Sequence, residues 1–167
     1  MRDTVQSVRP TFIAEEDSVE ALTDRQEVSI AKVLAHENGI EHRYCDPTRE
    51  ERQAIGYKDG QSIELEIFMH GDAGLSNDEI KLQGRAIEIG RYFPIREAFW
   101  LERLAGCRNC DAIFICGDGH IESFGKLLQS NDVRYTVVKR GIGLTDEDKW
   151  FDKAVQYLNE HPELGID

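Results

Sequence analysis

A run of apolar residues in the second half of the sequence constrains the fold most. Residues 111–116 read Asp-Ala-Ile-Phe-Ile-Cys, and Gly117 and Gly119 follow directly. A short, continuous apolar run bounded by turn residues is typical of a strand that is buried on both faces, as in the centre of a parallel sheet. We therefore expect this segment to be a core strand of an α/β fold.

Further strands and helices are predicted before and after this strand, and they alternate along the chain. Residues 11–14, 42–45 and 133–139 predict further strands, the second of which stops before Pro47. Helices are predicted at residues 24–38, 78–104, 121–129 and 145–160, the first because Asp24 and Glu27 resemble a capping box. Pro94 should divide the long helical stretch. This order predicts a three-layer α/β fold with a mainly parallel sheet of about four strands and helices on both faces.

The length of 167 residues fits one domain. Residues 57–77 are the least regular part, because Gly60, Gly71 and Gly74 interrupt the pattern. A strand or a short amphipathic helix both fit this segment, and we interpret it as an irregular insertion. The sequence therefore predicts a single α/β domain over residues 1–167.

The composition narrows the classes of partner and the compartment. A net charge of −12 repels phosphate backbones and anionic lipids, so we expect neither nucleic acid nor a membrane as a partner. A cationic or zwitterionic ligand or a metal ion is electrostatically easier to accommodate, and a small-molecule or peptide ligand is the expected partner, although the acidity also fits a role in solubility alone. Met1–Pro10 is polar, without the apolar stretch of a secretory signal, which predicts a cytoplasmic protein with reduced thiols.

Polar side chains follow three of the predicted strands. In parallel α/β sheets ligands bind outside the carboxyl ends of the strands, so these side chains are the candidate site. Carboxylates, a thiol and an imidazole together fit acid–base chemistry or a divalent metal. The candidates are Glu15, Glu16 and Asp17 after the first strand, Cys45 and Asp46 after the second, and Cys116, Asp118 and His120 after the third, with Gly117 and Gly119 as ligand-binding residues of the turn.

Arg96 and Glu97 lie in the first turn of the second half of the long helical stretch. An arginine there opposes the helix dipole, so we expect a local partner such as an anionic ligand or a site carboxylate. These candidates also have ordinary interpretations. Glu15 and Glu16 fit charges at the start of a helix, Asp46 before Pro47 fits a turn residue, and His120 fits a capping or core-edge residue. Arg96 with Glu97 fits a solvated surface pair.

The cysteines give no complete site. Cys107 and Cys110 form one Cys-x-x-Cys pair, whereas a structural zinc ion needs four ligands. The pair precedes a strand, unlike a thioredoxin-type pair, so we interpret it as incidental and expect its replacement by serine to be tolerated. Cys45 and Cys116 are interpreted as small buried residues. The sequence has neither a glycine-rich phosphate motif nor a serine nucleophile elbow.

Four segments together resemble a known group of proteins. Residues 12–16, 42–47, 96–101 and 114–120 are similar to an uncharacterised family of small bacterial proteins and, more distantly, to the TraB/TIKI/erythromycin-esterase/ChaN-like superfamily. Glu15 and Glu16 match its paired-glutamate motif, and His120 matches its late histidine after a glycine turn. The resemblance implies an α/β core; some members are metal-dependent proteases or hydrolases, and others bind haem or have no known activity.

The superfamily also has a Gly-x-x-His motif on an earlier strand, and only Met1–Pro10 precedes the first strand here. We expect the chain to be a shortened member or to begin upstream of Met1. The leading hypothesis is a hydrolase-like site in which Glu15, Glu16, Asp46 and His120 act on a substrate held by Arg96. A non-catalytic ligand-binding or interaction module is the alternative, and a toprim-like phosphotransfer site built on Glu15 and Asp118 is a weaker one.

These hypotheses predict a common cleft for Glu16, Asp46 and His120, lined by the ligand-binding residues Glu97, Gly117, Asp118 and Gly119. Glu16 and His120 are the predicted ligands of a weakly bound divalent metal, and no other cofactor is indicated. With its first strand at Glu15, the chain is expected to lack the earlier strand and helix that related folds use to cover the sheet. We therefore predict a homodimer through apolar residues of the long helical stretch. They are Ile87, Ile89, Tyr92, Phe93, Phe99 and Trp100.

Overall fold

The structure is a computed structural model that describes residues 1–70, 74–105, 111–141 and 146–165, with the backbone alone at residues 146–149. It divides into two compact units. The sheet unit comprises Met1–Arg52 and Ala98–Gly117, and the helical unit comprises Gln53–Glu97 and Asp118–Asp167. The prediction of a single domain stays a prediction.

The described residues form an α/β chain with three short strands and more helix than strand. The strands are β1 (Phe12–Glu15), β2 (Glu41–Tyr44) and β3 (Ala112–Ile115). The helices are α1 (Arg2–Val8), α2 (Val19–Arg25), α3 (Ile30–Glu37), α4 (Arg49–Ile55), α5 (Gly60–His70), α6 (Asn77–Ile87), α7 (Phe93–Leu104), α8 (Ile121–Ser130) and α9 (Asp146–Glu160), with a π-helical segment at Glu88–Tyr92 and 3₁₀ turns at Asp118–His120 and Pro162–Gly165.

The strands form a parallel sheet in the order β2-β1-β3. In register, Glu15 of β1 lies opposite Tyr44 of β2 and Ile115 of β3. The central strand is β1, which is buried, with Phe12, Ile13 and Ala14 at most 1% exposed. The expectation that residues 111–116 form a central strand buried on both faces is wrong, because β3 pairs only with β1 in the described sheet and its residues are exposed or partly exposed. This register brings the residues that follow β1, β2 and β3 to one edge of the sheet, as predicted from the sequence.

Side chains alternate between the two faces of β1. On one face Ile13 packs with Val5 of α1, with Ala31 and Ala35 of α3, and with Ile113 of β3. For β3, the Phe114 ring centroid lies 5.4 Å from that of Trp100 in α7, and Trp100 is fully buried.

In the helical unit, α6 packs against both α5 and α9. Gly84 permits the close approach of α5, because a Cβ atom at this position would lie 2.8 Å from Cγ of Glu64. The π-helical segment ends directly before Phe93 and Pro94. Proline has no N–H to donate to the preceding turn. The predicted division of the long helical stretch is therefore present as a π-helical segment between α6 and α7, and the helix is not broken by a loop.

The predicted helix over residues 24–38 is correct for residues 30–37, which form α3, but its start at Asp24 is wrong, because Asp24 belongs to the separate helix α2. Ser18 caps α2 by accepting from Ala21 N, and Ser29 caps α3 by accepting from Lys32 N. Gln26 adopts a left-handed conformation with φ of 56° between them. Both serines satisfy free N–H groups of a first turn, which is the role that was predicted for Asp24.

Two further segments differ from expectation. Residues 60–70 of the irregular insertion form α5, so the helix alternative is correct for this part and the strand alternative is wrong. The expected amphipathic pattern is absent from α5, because Leu65, Phe68 and Met69 are exposed while Ile63 is buried. Residues 133–139 form no strand in the structure, although Val133, Tyr135 and Val137 alternate with polar residues. All three residues are about two fifths exposed, so the alternating apolar side chains do not form the buried face that would stabilise a strand.

No helix among the described residues is both long enough and apolar enough to cross a membrane.

Candidate functional site

Glu15 is the centre of a partly buried polar cluster in the sheet unit. Its Oε1 atom accepts a short hydrogen bond from Ser29 Oγ and lies 2.8 Å from Nε2 of His42. Ser29 caps α3, while His42 and Tyr44 lie on the same face of β2 with their ring centroids 4.5 Å apart. Burial, followed by the negative charges of Glu15 and Asp17, raises the pKa of Tyr44. The cluster joins the end of β1 to the start of α3.

Glu16 connects the ends of β1 and β3. Its Oε2 atom accepts a hydrogen bond of 2.6 Å from Gly117 N. Asp17 instead accepts from Arg25 at 2.6 Å and from Ser18 N at 2.9 Å. The paired glutamates therefore point to different partners, Glu15 towards β2 and α3 and Glu16 towards the loop after β3.

Asp46 is 6% exposed, and both of its carboxylate oxygens have donors. Arg52 Nη2 lies 2.8 Å from Oδ2, and Trp100 Nε1 lies 3.3 Å from Oδ1. Its backbone N also donates to Asp17 O. These bonds satisfy the buried carboxylate and connect the end of β2 to α4 and to the buried indole of α7.

The helical unit contains the most strongly organised acid–base pair. Nδ1 of His120 lies 2.8 Å from Oε1 of Glu97, and their side chains are 5% and 3% exposed. Ser123 Oγ donates to the same Oε1 atom at 2.5 Å. The ring of Phe93 stacks on the imidazole at a centroid distance of 3.7 Å. An ionised carboxylate only accepts hydrogen bonds, so Nδ1 carries the proton and Nε2 is the basic nitrogen.

Arg96 lies at the basic nitrogen of this pair. Its Nη1 atom is 3.5 Å from Nε2 of His120, and its guanidinium carbon lies 5.7 Å from the ring centroid of Tyr57. Tyr57 is buried and its hydroxyl lies 3.3 Å from Oε1 of Glu88. Arg96, Glu97 and His120 were all candidates from the sequence, but the pairing of Glu97 with His120 was not predicted.

Glu88 is a second buried carboxylate of the helical unit, at the first residue of the π-helical segment. It pairs with Arg85, whose guanidinium carbon lies 5.5 Å from the ring centroid of Phe93. A Cβ atom at Gly60 would lie 2.9 Å from Oε2 of Glu88, so glycine permits this approach. π-helical segments are often found at functional sites, which is a signal that the sequence does not carry.

Asp118 and Gly119 shape the turn before His120. Asp118 accepts from Arg140 at 3.2 Å and from Gly141 N at 3.1 Å. Arg140 first, then the Gly141 N–H, lower the pKa of Asp118. A Cβ atom at Gly119 would lie 2.7 Å from Cε2 of Phe151, so this glycine is required for packing.

The predicted site residues thus fall into two groups. Glu15, Glu16, Asp46 and Gly117 belong to the sheet unit, and Arg96, Glu97, Asp118, Gly119 and His120 belong to the helical unit. The common cleft for Glu16, Asp46 and His120 stays a prediction. Sequence reasoning missed Ser29, His42, Tyr57, Glu88 and Ser123. Only Ser123 had a local signal, since it lies three residues after His120 in the first turn of α8.

The metal prediction has no support from the described residues, and the cysteine predictions are tested only in part. None of their His, Cys, Asp and Glu side chains form a group of three or more that could hold a metal ion. Cys107 and Cys110 lie outside the described residues. Cys45 is fully buried, as predicted, and burial raises the pKa of its thiol to about 12. Cys116 is partly exposed.

Comparisons with known proteins leave the fold and the site geometry as the basis for a functional assignment, because no protein-family model, no curated protein and no solved structure matches the chain.

Proposed function

We propose that the chain is a hydrolase-like protein in which His120 is the general base and Glu97 orients it. The observation that carries the proposal is the 2.8 Å contact between His120 Nδ1 and Glu97 Oε1, in a pair whose side chains are at most 5% exposed. A carboxylate that accepts from Nδ1 fixes the tautomer and stabilises the imidazolium that forms when Nε2 takes a proton. This is the role of the carboxylate in catalytic triads on unrelated folds.

The chemical step uses water as the second reactant. His120 takes a proton from water at Nε2 while the water oxygen forms a bond to the electrophilic carbon or phosphorus of the substrate. The bond to the leaving group breaks, and the leaving group receives the proton back from Nε2. Arg96, beside Nε2, is suited to stabilise the negative charge that develops on the substrate oxygen. No step requires an oxidant or a reductant.

The experiment is a comparison of variants on p-nitrophenyl acetate, p-nitrophenyl phosphate and a p-nitroanilide peptide, with and without added zinc or manganese. We expect His120→Gln to lower any turnover by about 10²–10⁴-fold, the usual contribution of a positioned base. His161→Gln is the matched control, because the His161–Glu163 pair is also in the helical unit but is exposed. Equal loss in both variants, or turnover by His120→Gln at the wild-type rate, contradicts the proposal.

The roles of Glu15, Glu16 and Asp46 in the same reaction, and the resemblance to the TraB/TIKI superfamily, remain part of the proposal. Glu16→Gln keeps the shape of the side chain and tests the paired-glutamate motif directly. If the helical unit alone performs the chemistry, added zinc or manganese should affect the turnover of Glu16→Gln and of the wild type equally. If the metal raises the turnover of the wild type but not that of Glu16→Gln, Glu16 is a metal ligand.

A non-catalytic binding module is the second candidate. It is favoured by the burial of His120, which is 4% exposed, and by the engagement of both its ring nitrogens. Binding of a small anion without turnover of any of the three substrates supports it over the hydrolase.

We also propose that the chain acts in the cytoplasm as a homodimer with the predicted three-layer arrangement. Phe93 and Trp100 are buried within the chain, so they are removed from the predicted interface. The remaining residues of that interface, Ile87, Ile89, Tyr92 and Phe99, are partly exposed. Sedimentation equilibrium at micromolar concentration tests the dimer, and a species of 19.1 kDa contradicts it.

A further inference from the structure

We propose that Arg96 is the recognition residue for an anionic group, a carboxylate or a phosphate, on the ligand of the His120 site. In the structure its guanidinium covers Nε2 of His120, and the anion draws it away. This inference rests on the proposed role of His120, and it adds the class of ligand and the way in which the base becomes accessible.

The contact between Arg96 and His120 leaves no other assignment of donor and acceptor. A guanidinium has only N–H donors, so Nη1 at 3.5 Å from Nε2 donates to the imidazole lone pair. The other ring nitrogen, Nδ1, is already bonded to Glu97. The lone pair that a general base must present to its substrate is therefore the one that Arg96 occupies.

The surroundings of His120 identify Arg96 as the group that must move. Phe93 stacks on the imidazole and is itself 2% exposed, so this side of the ring is closed by a packed core residue. Glu97 is equally buried. Arg96 is partly exposed, and it is the one of these three contacts with a long, flexible side chain. Of these three contacts, Arg96 is therefore the one that can leave the imidazole without a change in the core.

Tyr57 gives Arg96 a fixed place beside the base. The guanidinium lies over the Tyr57 ring at 5.7 Å, and the hydroxyl of this buried tyrosine bonds to Glu88 in the π-helical segment. Stacking on a ring and hydrogen bonding to a planar acceptor use different parts of a guanidinium. Arg96 can thus stay near Tyr57 while its N–H groups turn from Nε2 to a carboxylate or phosphate.

An anionic ligand is the chemical class that this exchange favours. Hydrogen bonds between a guanidinium and a carboxylate or phosphate have charge on both partners and are frequently bidentate, whereas a neutral imidazole offers one uncharged lone pair. Neutral imidazole is therefore the weaker partner of Arg96. Arg85, beside the Phe93 ring, adds a second guanidinium in the same unit, although Glu88 balances its charge.

The test measures anion binding and the state of His120 together. Inorganic phosphate and acetate, in separate titrations at constant ionic strength, are added to ¹⁵N-labelled protein while the Nε2 resonance of His120 is followed. We expect the anion to move this resonance because Nε2 loses its hydrogen bond from Arg96. Arg96→Gln should bind the anion at least about tenfold more weakly, as expected when a charge-assisted bond is lost. Its resonance without anion should approach the position seen in the saturated wild type.

Two variants keep the result interpretable. Arg134→Gln makes the same charge change at an exposed arginine of the helical unit and should bind like the wild type. Arg96→Lys keeps the charge but not the planar fork, so we expect an affinity between those of wild type and Arg96→Gln, which covers the case that the glutamine variant does not fold. The anion that binds more tightly, phosphate or acetate, shows whether the ligand group is a phosphate or a carboxylate.

Three outcomes would overturn the proposal: wild-type affinity in both Arg96 variants, equal losses in Arg134→Gln, or anion binding that leaves the Nε2 resonance unchanged. These outcomes are separable from the fate of the hydrolase proposal. Anion-dependent movement of Nε2 without turnover of any substrate supports Arg96 as the recognition residue and refutes the hydrolase. Turnover that depends on His120 but not on Arg96 does the reverse.

Discussion

Replacing Glu97 by glutamine tests the acid–base pair through stability as well as activity. Glu97 Oε1 accepts from His120 Nδ1 at 2.8 Å and from Ser123 Oγ at 2.5 Å, in a side chain that is 3% exposed. Hydrogen bonds to a charged group contribute about 1.5–3 kcal/mol each and neutral ones about 0.5–1.5 kcal/mol. Loss of the charge in a side chain of the same shape should therefore cost about 1 kcal/mol per bond, or roughly 2 kcal/mol in total.

A double-mutant cycle with Ser123→Ala separates the charge from the shape of the site. Ser123→Ala removes one of the two bonds and should cost about 1–2 kcal/mol. Because the Ser123 bond depends on the charge of Glu97, the double variant should cost less than the sum of the single variants, by about 0.5 kcal/mol or more. Urea unfolding followed by tryptophan fluorescence gives these free energies.

The same cycle predicts the catalytic effect. The side-chain amide introduced by Glu97→Gln can donate to Nδ1, which would move the proton of His120 to Nε2 and remove the base. This variant should therefore lower turnover by about 10²–10⁴-fold. Ser123→Ala leaves the carboxylate on Nδ1 and should lower turnover far less. Additive stability effects, or equal losses of turnover in the two variants, would refute the role of Glu97 as the group that orients His120.

Three further predictions concern packing, thiol reactivity and pH. Gly119→Ala should lower the free energy of unfolding by about 1–3 kcal/mol, because its Cβ would lie 2.7 Å from Phe151; Phe151→Leu should recover part of the loss, and a urea titration in which it recovers nothing would contradict the clash. Cys45, with a pKa raised to about 12 by burial, should resist iodoacetamide in the folded chain and react in urea, as peptide mass mapping can show. The folded-state pKa of Asp118 is lowered below its ordinary 3.8, so its contribution to stability is present above that value and is lost as the pH falls through the lower folded-state pKa. Arg140→Gln should reduce this acid dependence in thermal melts between about pH 2 and pH 5. Melts that are the same in the variant and the wild type would argue against the pair.

The strands of the sheet were predictable because each apolar run gives a local sequence signal. The apolar run at residues 111–116 contains β3, and the run at residues 11–14 overlaps β1. The signal did not say which strand is central, because β1 is the buried central strand while β3 is exposed or partly exposed. The segment at residues 133–139 shows the limit of this signal. Its alternation is that of a strand, but a strand exists only where a neighbour supplies hydrogen bonds, and that information is not local.

The helix starts were less predictable, for a reason that Ser18 and Ser29 make clear. The predicted start at Asp24 depended on a glutamate, Glu27, three residues after the capping residue. Neither serine has such a glutamate, since Ala21 and Lys32 occupy those positions, yet each serine accepts a hydrogen bond from the corresponding N–H. The side-chain acceptor at the cap decides the start of the helix, and the glutamate only adds to it.

The candidate site follows the same division between local and non-local information. The rule that ligands bind at strand ends singled out Glu15, Glu16 and Asp46, but it could not say which of these carboxylates the fold itself would use. Asp46 bonds to Arg52 and Trp100, and Glu15 to Ser29 and His42. A carboxylate whose donors come from neighbouring elements holds those elements together, and its chemistry is restricted accordingly.

Glu97 and His120 were both candidates from the sequence, but their pairing could not be predicted from it. Glu97 and His120 lie 23 positions apart in the chain, with the end of a helix, a strand and a turn between them, so no spacing rule relates them. Each residue alone has an ordinary interpretation as a surface charge or a helix cap. Their burial together changes this, because a buried imidazole next to a buried carboxylate has one nitrogen fixed as a donor and the other left as an acceptor. The acceptor nitrogen, Nε2, lies beside Arg96, and for this reason the pair can be tested as a site for an anionic ligand.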